Sequence, residues 1–470
     1  MNGQIMETIV LVAPPSDVLV QRDMYSSTIS KGHYNWPNTD LLACSGILRD
    51  HFNVIMIDAM TEKLSPSDTV DMIASHNPKG IVVAVGMSVR TEDYNFIRAL
   101  KSKMPDAKIV GSGGILYHSP KSEMEELPEL DACLLSFVTE DIRKYFQSEL
   151  EGIENLVYRD GDQVVETAKT YPQHGYGYGV PMHKQLPLKK YQLSHGYSTP
   201  MASVLTSFGC PATCSFCVSG SINYRYRDPD NVIAELDELN RLGVKQVYFR
   251  DNVFLATRKK GIELMEKMVE RNYGFKWLAE MRADALDEGT VPLMKATGCY
   301  AVHMGVESAN QETLDRYEKR IQLDQYKKAT KLARENGIRT IGYFIIGLPG
   351  ETREDVLRTI DWALELDVDY ASFNTPLPIV GTKLRDEALE QGWLTSEEAS
   401  YDGSQTTVLK TDELSPEEVA ELRALAYRKF YARPKLIVRN ILGIRTFFQM
   451  RMLAIEGWSM VGRILGFANN

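Results

Sequence analysis

Cys210, Cys214 and Cys217 stand in the stretch Gly209-Cys-Pro-Ala-Thr-Cys-Ser-Phe-Cys217, a CxxxCxxC spacing. That spacing hangs three thiolates on one short loop, which can wrap the corner of an iron–sulfur cubane and cap three of its four irons. A [4Fe–4S] cluster ordinarily takes four cysteines, so the fourth iron stays open to an exchangeable ligand. A zinc knuckle is the competing reading. Structural zinc takes four ligands in paired groups, and no second pair follows, since Cys44, Cys133 and Cys299 are scattered singly.

The elements that would carry this loop form a strand–helix series. Ala202-Ser-Val-Leu205 is a strand candidate just before it. Others follow at Gln246-Val-Tyr-Phe249, Lys276-Trp-Leu-Ala279, Ala301-Val-His-Met304, Thr340-Ile-Gly-Tyr-Phe-Ile-Ile346 and Tyr370-Ala-Ser-Phe373. Helical periodicity fills the gaps, as in Asp230–Arg241 and Arg353–Leu366. Six βα units predict an open partial barrel over residues 201–410, with the cysteine loop leaving its first strand. Barrel chemistry sits at the carboxyl ends of the strands.

An earlier series occupies residues 1–150. Thr8-Ile-Val-Leu-Val-Ala13, Val54-Ile-Met-Ile-Asp58, Gly80-Ile-Val-Val-Ala-Val85, Lys108-Ile-Val110 and Asp131-Ala-Cys-Leu-Leu135 read as strands, with amphipathic segments such as Tyr94 to Lys103 between them. This alternation predicts an α/β, doubly wound, Rossmann-like sheet. Such sheets take ligands at their carboxyl edge, where Asp58, Ser88 and Gly111-Ser-Gly-Gly114 would fall. The Gly111–Gly114 loop follows a fourth strand and does not match the GxGxxG context of dinucleotide binding. Residues 151–200, with Tyr171-Pro-Gln-His-Gly-Tyr-Gly-Tyr-Gly-Val-Pro181, read as a linker. A helical region is expected over 411–470, since Ser415-Pro-Glu-Glu418 is a good helix start. From Arg428 to Arg463 eight basic residues stand against one acid, Glu456, interleaved with Phe430, Leu436, Ile437, Phe447, Phe448, Met450, Met452, Leu453 and Trp458. Basic residues among large apolar ones suit a helix on an anionic membrane surface. They suit a helical cap that buries its apolar face on the barrel mouth better still.

The 470 residues are enough for two or three domains, and 44% hydrophobic with 25% charged residues is a globular composition. A net charge of −10 argues against nucleic-acid binding. Six cysteines give no disulfide framework, and thiolate ligation of iron requires a reducing compartment. The start, Met1-Asn-Gly-Gln-Ile-Met-Glu-Thr, lacks a secretory pattern, and no stretch of ~18 apolar residues is free of charges. A cytoplasmic protein is expected.

The sequence resembles the radical S-adenosylmethionine (SAM) enzymes that carry an N-terminal cobalamin-binding-like domain. The subgroup it is most similar to holds anaerobic magnesium-protoporphyrin monomethyl ester cyclase, hopanoid methylases and P-methylases. The likeness runs over about residues 7 to 430. Around the cysteines it rests on Ser207-Phe-Gly, Pro211 and Phe216. It continues in Phe249-Arg-Asp-Asn252 with Phe254, Glu280-Met-Arg282, Gly305-Val-Glu-Ser308, Gly347-Leu-Pro-Gly-Glu-Thr352 and Thr375-Pro-Leu-Pro-Ile-Val-Gly-Thr382. Each of these follows a strand downstream of the cysteine loop. The resemblance implies that Cys210, Cys214 and Cys217 bind a [4Fe–4S] cluster. It further implies SAM contacts from Phe216, Asp251, Asn252, Glu280, Arg282, Glu307, Ser308 and Gly347. Arg282 would pair with the SAM carboxylate, for which a guanidinium fork is suited. Taken singly, any such Glu or Arg is equally at home in a surface ion pair.

For the first domain the resemblance implies cobalamin, touched by Asp58, Ser88, Gly113 and Gly114. The Asp-x-His-x-x-Gly motif that ligates cobalt is absent, and neither His33 nor His51 has its flanks. Too few cysteines remain for the extra cluster of methylthiotransferases or for auxiliary clusters. Two activities are compatible with this family. One is cobalamin-dependent methylation of an unactivated carbon or phosphorus; the other is radical oxidation, cyclisation or rearrangement of an apolar, lipid- or porphyrin-like substrate. A non-catalytic cobalamin- or SAM-binding module is a third reading, against which the intact cysteine triplet argues. An electron donor such as flavodoxin or ferredoxin is the expected partner.

Overall fold

The computed structural model describes residues 6–30, 34–171, 175–395 and 408–455. His33, Pro172 to His174, Glu456, Trp458 and Arg463 lie outside the described residues. The chain gathers into two compact units. One comprises Met1–Leu193, Thr199–Ser203 and Asp230–Val244, and the other Ser194–Ser198, Val204–Pro229 and Lys245–Asn470.

The first unit is built on a sheet of β1 (Thr8–Ala13), β2 (Asn53–Asp58), β3 (Gly80–Ala84), β4 (Lys108–Ser112), β5 (Ala132–Leu134), β6 (Leu156–Asp160) and β7 (Gln163–Glu166), in the order β2-β1-β3-β4-β5-β6-β7. β1 to β5 pair in parallel. Their near-continuous runs of Ile, Val and Leu are buried on both faces, as a sheet covered by helices on either side requires. The 2-1-3-4-5 order is doubly wound, with its switch point between β1 and β3. The expected linker over 151–200 needs correction. β6 and β7 form an antiparallel hairpin that extends this sheet through Ala132↔Tyr158 and Val157↔Glu166. Gly161, at φ +59, makes the tight Gly161-Asp162 turn possible, and Leu156, Val157 and Tyr158 bury against the sheet.

The second sheet holds β8 (Met201–Val204), β11 (Gln246–Phe249), β12 (Lys276–Met281), β13 (Cys299–Glu307), β14 (Arg339–Ile345) and β15 (Tyr370–Asn374), in the order β15-β14-β13-β12-β11-β8. A small hairpin, β9 (Ser207–Phe208) with β10 (Arg225–Tyr226), interrupts the series. β11 to β15 pair in parallel, each following a helix such as Arg258–Arg271 or Leu323–Glu335. These are the six strands expected from the sequence. On one face Phe249, Trp277, Val302, Met304, Phe344 and Phe373 are buried beneath the helices.

The helix Pro416–Tyr431 starts at the expected Ser415 cap, whose hydroxyl accepts from the Glu418 N–H. It covers the edge strand β15. The Arg423 guanidinium donates to the Phe373 carbonyl and the Tyr431 hydroxyl to that of Ala371, occupying backbone groups that an open edge would expose. The next helix, Pro434–Leu442, is held by charge. Lys435 and Arg439 lie 3.2 and 3.0 Å from Asp367. Among the described residues no helix is long and apolar enough to cross a membrane.

Candidate functional site

The cysteine loop is the connection of the β9–β10 hairpin. Gly209 closes its neck at φ +73; a Cβ there would sit 2.5 Å from the carbonyl oxygens of Ile222 and Asn223. The Cys210 N–H donates to the Ile222 carbonyl at 3.3 Å, and the Cys217 N–H to that of Cys214 at 3.0 Å. Ser215 is anchored twice, donating to the Tyr317 carbonyl (3.1 Å) and accepting from the Leu384 N–H (3.2 Å). Cys214 is buried, and Cys210 and Cys217 are half-buried. The thiols feel one another: burial pushes Cys210 up to about 11, and Cys217 and Cys214 reinforce it. Burial raises Cys214 as well, opposed by the Lys319 ammonium. Among the described residues no three His, Cys, Asp or Glu converge on a single ion. A cubane, which takes each thiolate at a different iron, does not need that convergence, so the donor set suits a cluster with one open iron.

Around this loop stand the ends of β11 to β14. Arg282, just past β12, binds Asp284 through Nε and Nη2 and donates from Nη1 to the Lys319 carbonyl at 3.1 Å and from Nη2 to the Arg320 carbonyl at 3.0 Å. Glu307 ends β13 at φ +65, beside a register shift between Gly305 and Glu307. A left-handed backbone is uncommon and strained for glutamate. Its carboxylate meets Lys319 Nζ at 2.7 Å, with both side chains buried. Burial works against the Lys319 charge, but Glu307 and Cys214 outweigh it and leave the ammonium firmly protonated. Arg282, Glu307, Lys319 and the cysteines are thus one electrostatic group.

The other expected contacts have local partners. Asp251 is fully buried and accepts from the N–H groups of Thr206 (2.7 Å) and Ser207 (3.0 Å), which fixes the start of the cysteine hairpin. Burial raises it to about 7 against these bonds. Nδ2 of its neighbour Asn252 is buried without a hydrogen-bond partner. Glu280 accepts from the Tyr248 hydroxyl at 2.6 Å. Ser308 donates to Glu351 at 2.5 Å, and Glu351 in turn accepts from the Leu348 N–H, bracing the loop after β14. Gly347 opens that loop at φ +82. Phe216 packs edge-on against Tyr317, ring centroids 6.0 Å apart.

The carboxyl edge of the first sheet is arranged differently. Asp58 is buried, caps the short helix Ala59–Glu62 through the Thr61 N–H, and accepts from the Tyr191 hydroxyl at 2.6 Å. Ser88 is tied to Ser27 by its N–H (3.0 Å) and its hydroxyl (2.6 Å). A Cβ on Gly113 would meet the Val85 oxygen at 2.1 Å, and one on Gly114 the Met24 oxygen at 2.8 Å. The segment from Leu19 to Ser30 therefore lies over this edge, locked by a buried Arg22–Asp93 pair at 2.8 Å.

Sequence reasoning missed Lys319, which sits in a turn between Glu318 and Arg320 where no periodicity points to it. It also missed Glu351, Tyr248, Arg250, His303 and Tyr343. Polar residues at alternate positions in strands that should be apolar on both faces were the readable signal for the last four.

Residues 204–363 match the family model described as the Radical SAM superfamily. Over nearly its whole length the chain is similar to an uncharacterized methyltransferase of Pyrococcus horikoshii, 28% identical over 443 residues that span 92% of this chain and 94% of that protein. It is 30% identical over 369 residues to the anaerobic magnesium-protoporphyrin IX monomethyl ester cyclase of Rubrivivax gelatinosus, covering 73% of this chain and 65% of that protein. Its fold is that of TsrM from Kitasatospora setae, described as a radical S-adenosylmethionine methyltransferase with cobalamin and a [4Fe–4S] cluster bound. The TM-score is 0.72 at 19% identity, covering 98% of this chain and 99% of that one.

Proposed function

From the premise that this chain is a radical SAM enzyme with the fold of the cobalamin-dependent members, we propose that it methylates an unactivated carbon or phosphorus centre. The observation that carries this reading is the pinned cysteine loop, with Arg282, Glu307 and Lys319 gathered around it. When bound, the cluster and SAM supply a 5′-deoxyadenosyl radical, and cobalamin supplies the transferable methyl group.

Cys210, Cys214 and Cys217 hold three irons. Lys319 and, more weakly, Arg282 lower the cost of the Cys214 thiolate, which is the form that would ligate iron. Glu307 offers carboxylate oxygens to the SAM ammonium or ribose, and Asn252 offers its buried amide donor. Gly347 makes the left-handed turn after β14 and admits Val419, which a Cβ would meet at 2.7 Å, and Phe216 with Tyr317 packs beside the cysteine loop. Asp251, Glu280 and Ser308 position these groups through Thr206, Tyr248 and Glu351. On the first sheet the crevice between β1 and β3 is where a doubly wound fold takes its ligand, and we assign cobalamin to it. Asp58, Ser88, Gly113 and Gly114 shape that edge.

The likeness to the Rubrivivax cyclase supports a second reading, radical oxidation or cyclisation without methyl transfer. The deciding experiment is anaerobic reconstitution with iron, sulfide and hydroxocobalamin, followed by metal analysis and product counting. About four irons and about one cobalt per chain are expected, with S-adenosylhomocysteine formed alongside 5′-deoxyadenosine. Iron without cobalt, and 5′-deoxyadenosine alone, would move the assignment to the cyclase type. A low-potential donor of the flavodoxin or ferredoxin kind would supply the electron.

A cytoplasmic protein with peripheral membrane contact is part of the proposal. The supporting observation is the clustering of exposed Ile437, Val438, Ile441, Leu442, Phe447 and Met450. Flotation with anionic vesicles should drop when Leu442 and Phe447 are both changed to Ser; equal flotation removes the membrane contact.

A further inference from the structure

Parallel sheets buried between layers are normally apolar on both faces. The second sheet breaks this rule on one face only. Opposite the Phe249–Trp277–Phe344 side, four adjacent strands present Tyr248 (β11, with Arg250 just past its end), Glu280 (β12), His303 (β13) and Tyr343 (β14). Glu280 and His303 are register partners. Farther along, β15 adds Ser372 and Asn374 to the same face. Towards their carboxyl ends these strands alternate between buried and half-exposed positions, with Glu280, Tyr343, Ile345, Ser372 and Asn374 half-exposed. That pattern describes a partly open face of the sheet lined by polar side chains.

The lining is organised. The Tyr248 hydroxyl donates to Glu280 at 2.6 Å, and Arg250 lies 3.4 Å from the same carboxylate, so the charges cancel locally. The Tyr343 hydroxyl is 2.8 Å from His303 Nδ1. The His303 ring is about nine-tenths buried, at 8% exposure, and its Nε2 has no hydrogen-bond partner. Burial, then His195 and Arg250, push His303 down to about 3, so the ring is neutral throughout the working pH range. Where the Tyr343 hydroxyl donates to Nδ1 the single ring proton resides on Nε2; where it accepts from Nδ1–H, Nε2 is a bare acceptor. An unpartnered buried nitrogen of either kind costs stability unless a ligand meets it. Four residues separate His303 from Glu307, about 13 Å of strand, which places the ring on this face below the strand ends that carry the SAM-facing groups.

We propose that this face lines the substrate chamber and that His303, through Nε2–H, binds an oxygen acceptor on the substrate. The substrate is then an oxygen-functionalised molecule, bearing a carbonyl, amide or carboxylate near the atom attacked, rather than a bare hydrocarbon. Tyr343 acts as a positioning residue by fixing the ring's tautomer. The inference rests on the radical SAM reading above and names the substrate class for that same site.

The test uses reconstituted protein labelled with [15N]histidine and three probes of one shape: benzamide, benzoate and benzene. The His303 resonance is assigned by its loss in His303→Leu. Benzamide and benzoate should move the Nε2–H signal and benzene should not. His303→Leu should weaken the oxygenated probes by about tenfold, the worth of one buried hydrogen bond. Tyr343→Phe should weaken them by a smaller factor while the Nε2 proton signal broadens, and thermal unfolding reports whether either variant remains folded. Benzene binding as tightly as benzamide, oxygenated probes unaffected by His303→Leu, or no probe reaching His303 would each overturn the proposal. Reductive SAM cleavage by the wild-type protein is measured in parallel. Its absence would remove the radical SAM reading, while the resonance data would still decide whether His303 binds an acceptor.

Discussion

The two sheets present carboxyl edges of opposite character. At the edge of the second sheet, charged side chains converge: Arg282, Glu307 and Lys319 around three thiols, with a strained backbone at Glu307. At the edge of the first sheet backbone packs closely: Gly114 admits the Met24 carbonyl of the covering segment and Gly113 that of Val85 at the end of β3. Small, charged ligands such as SAM are gripped by ions and hydrogen bonds in fixed directions. A large, nearly neutral cofactor is held by shape and many weak contacts, which backbone and small residues provide. If SAM and cobalamin sit where proposed, the difference separates a reactive edge from a cradling edge, and substitutions should reveal it.

The largest effect should come from Cys214→Ala. Losing one of three iron ligands should abolish reductive SAM cleavage, at least 1,000-fold by 5′-deoxyadenosine yield as an order-of-magnitude expectation, without loss of bound cobalt. If cobalt were lost too, the two edges would not be independent. Next is Lys319→Met, which leaves Glu307 buried without its partner. Breaking a buried pair from one side costs about 3–5 kcal/mol, readable by denaturant unfolding, and SAM affinity should fall with it. The double variant Lys319→Met/Glu307→Gln should regain most of the stability but not the SAM affinity, separating structure from binding.

Gly113→Ala probes the cradling edge. Its new methyl would stand 2.1 Å from the Val85 oxygen, so the ends of β3 and β4 must shift, at about 1–3 kcal/mol. Cobalt retention after desalting should fall severalfold while iron per chain stays constant. Equal cobalt retention would show that the cradle lies elsewhere. The smallest effect is a pH slope. Burial raises Glu351 to about 7, opposed by its bonds to Ser308 and Leu348. A raised carboxyl holds its proton when folded and loses it when unfolded, so its stabilising effect is full below the unfolded pKa near 4.5 and is lost as the pH rises through about 7. The melting temperature should decline over that window, and Glu351→Gln should flatten the decline.

Much of this organisation was legible in the chain. Strands such as Thr8–Ala13 and Gln246–Phe249 announce themselves by buried β-branched and aromatic runs bounded by turn residues, and Ser415 announces its helix by a capping box. The cysteine triplet can be proposed as a cluster loop without any fold, because the CxxxCxxC spacing alone suggests that chemistry. What the sequence hid were partners brought from a distance. Lys319 reaches Glu307 from an irregular turn, and Tyr343 reaches His303 only because β13 and β14 pair in one particular register. The β6–β7 hairpin was overlooked because its strands are short and border the Gly- and Pro-rich stretch 171–181, though Asp160-Gly161 is a recognisable turn signal.

The assignment of Asp230–Val244 to the first unit carries a consequence for synthesis. Glu235, on the helix Pro229–Arg241, closes on buried His183 at 2.7 Å, yet that helix follows the cysteine hairpin in the chain. The N-terminal unit is contiguous to Leu193 but lacks this piece until Val244 has been made. At about 5–20 residues per second, the 51 intervening residues (244 − 193) impose a wait of roughly 3–10 s, during which the unit stands on the ribosome with His183 uncapped. A fragment ending near residue 200 would wait indefinitely.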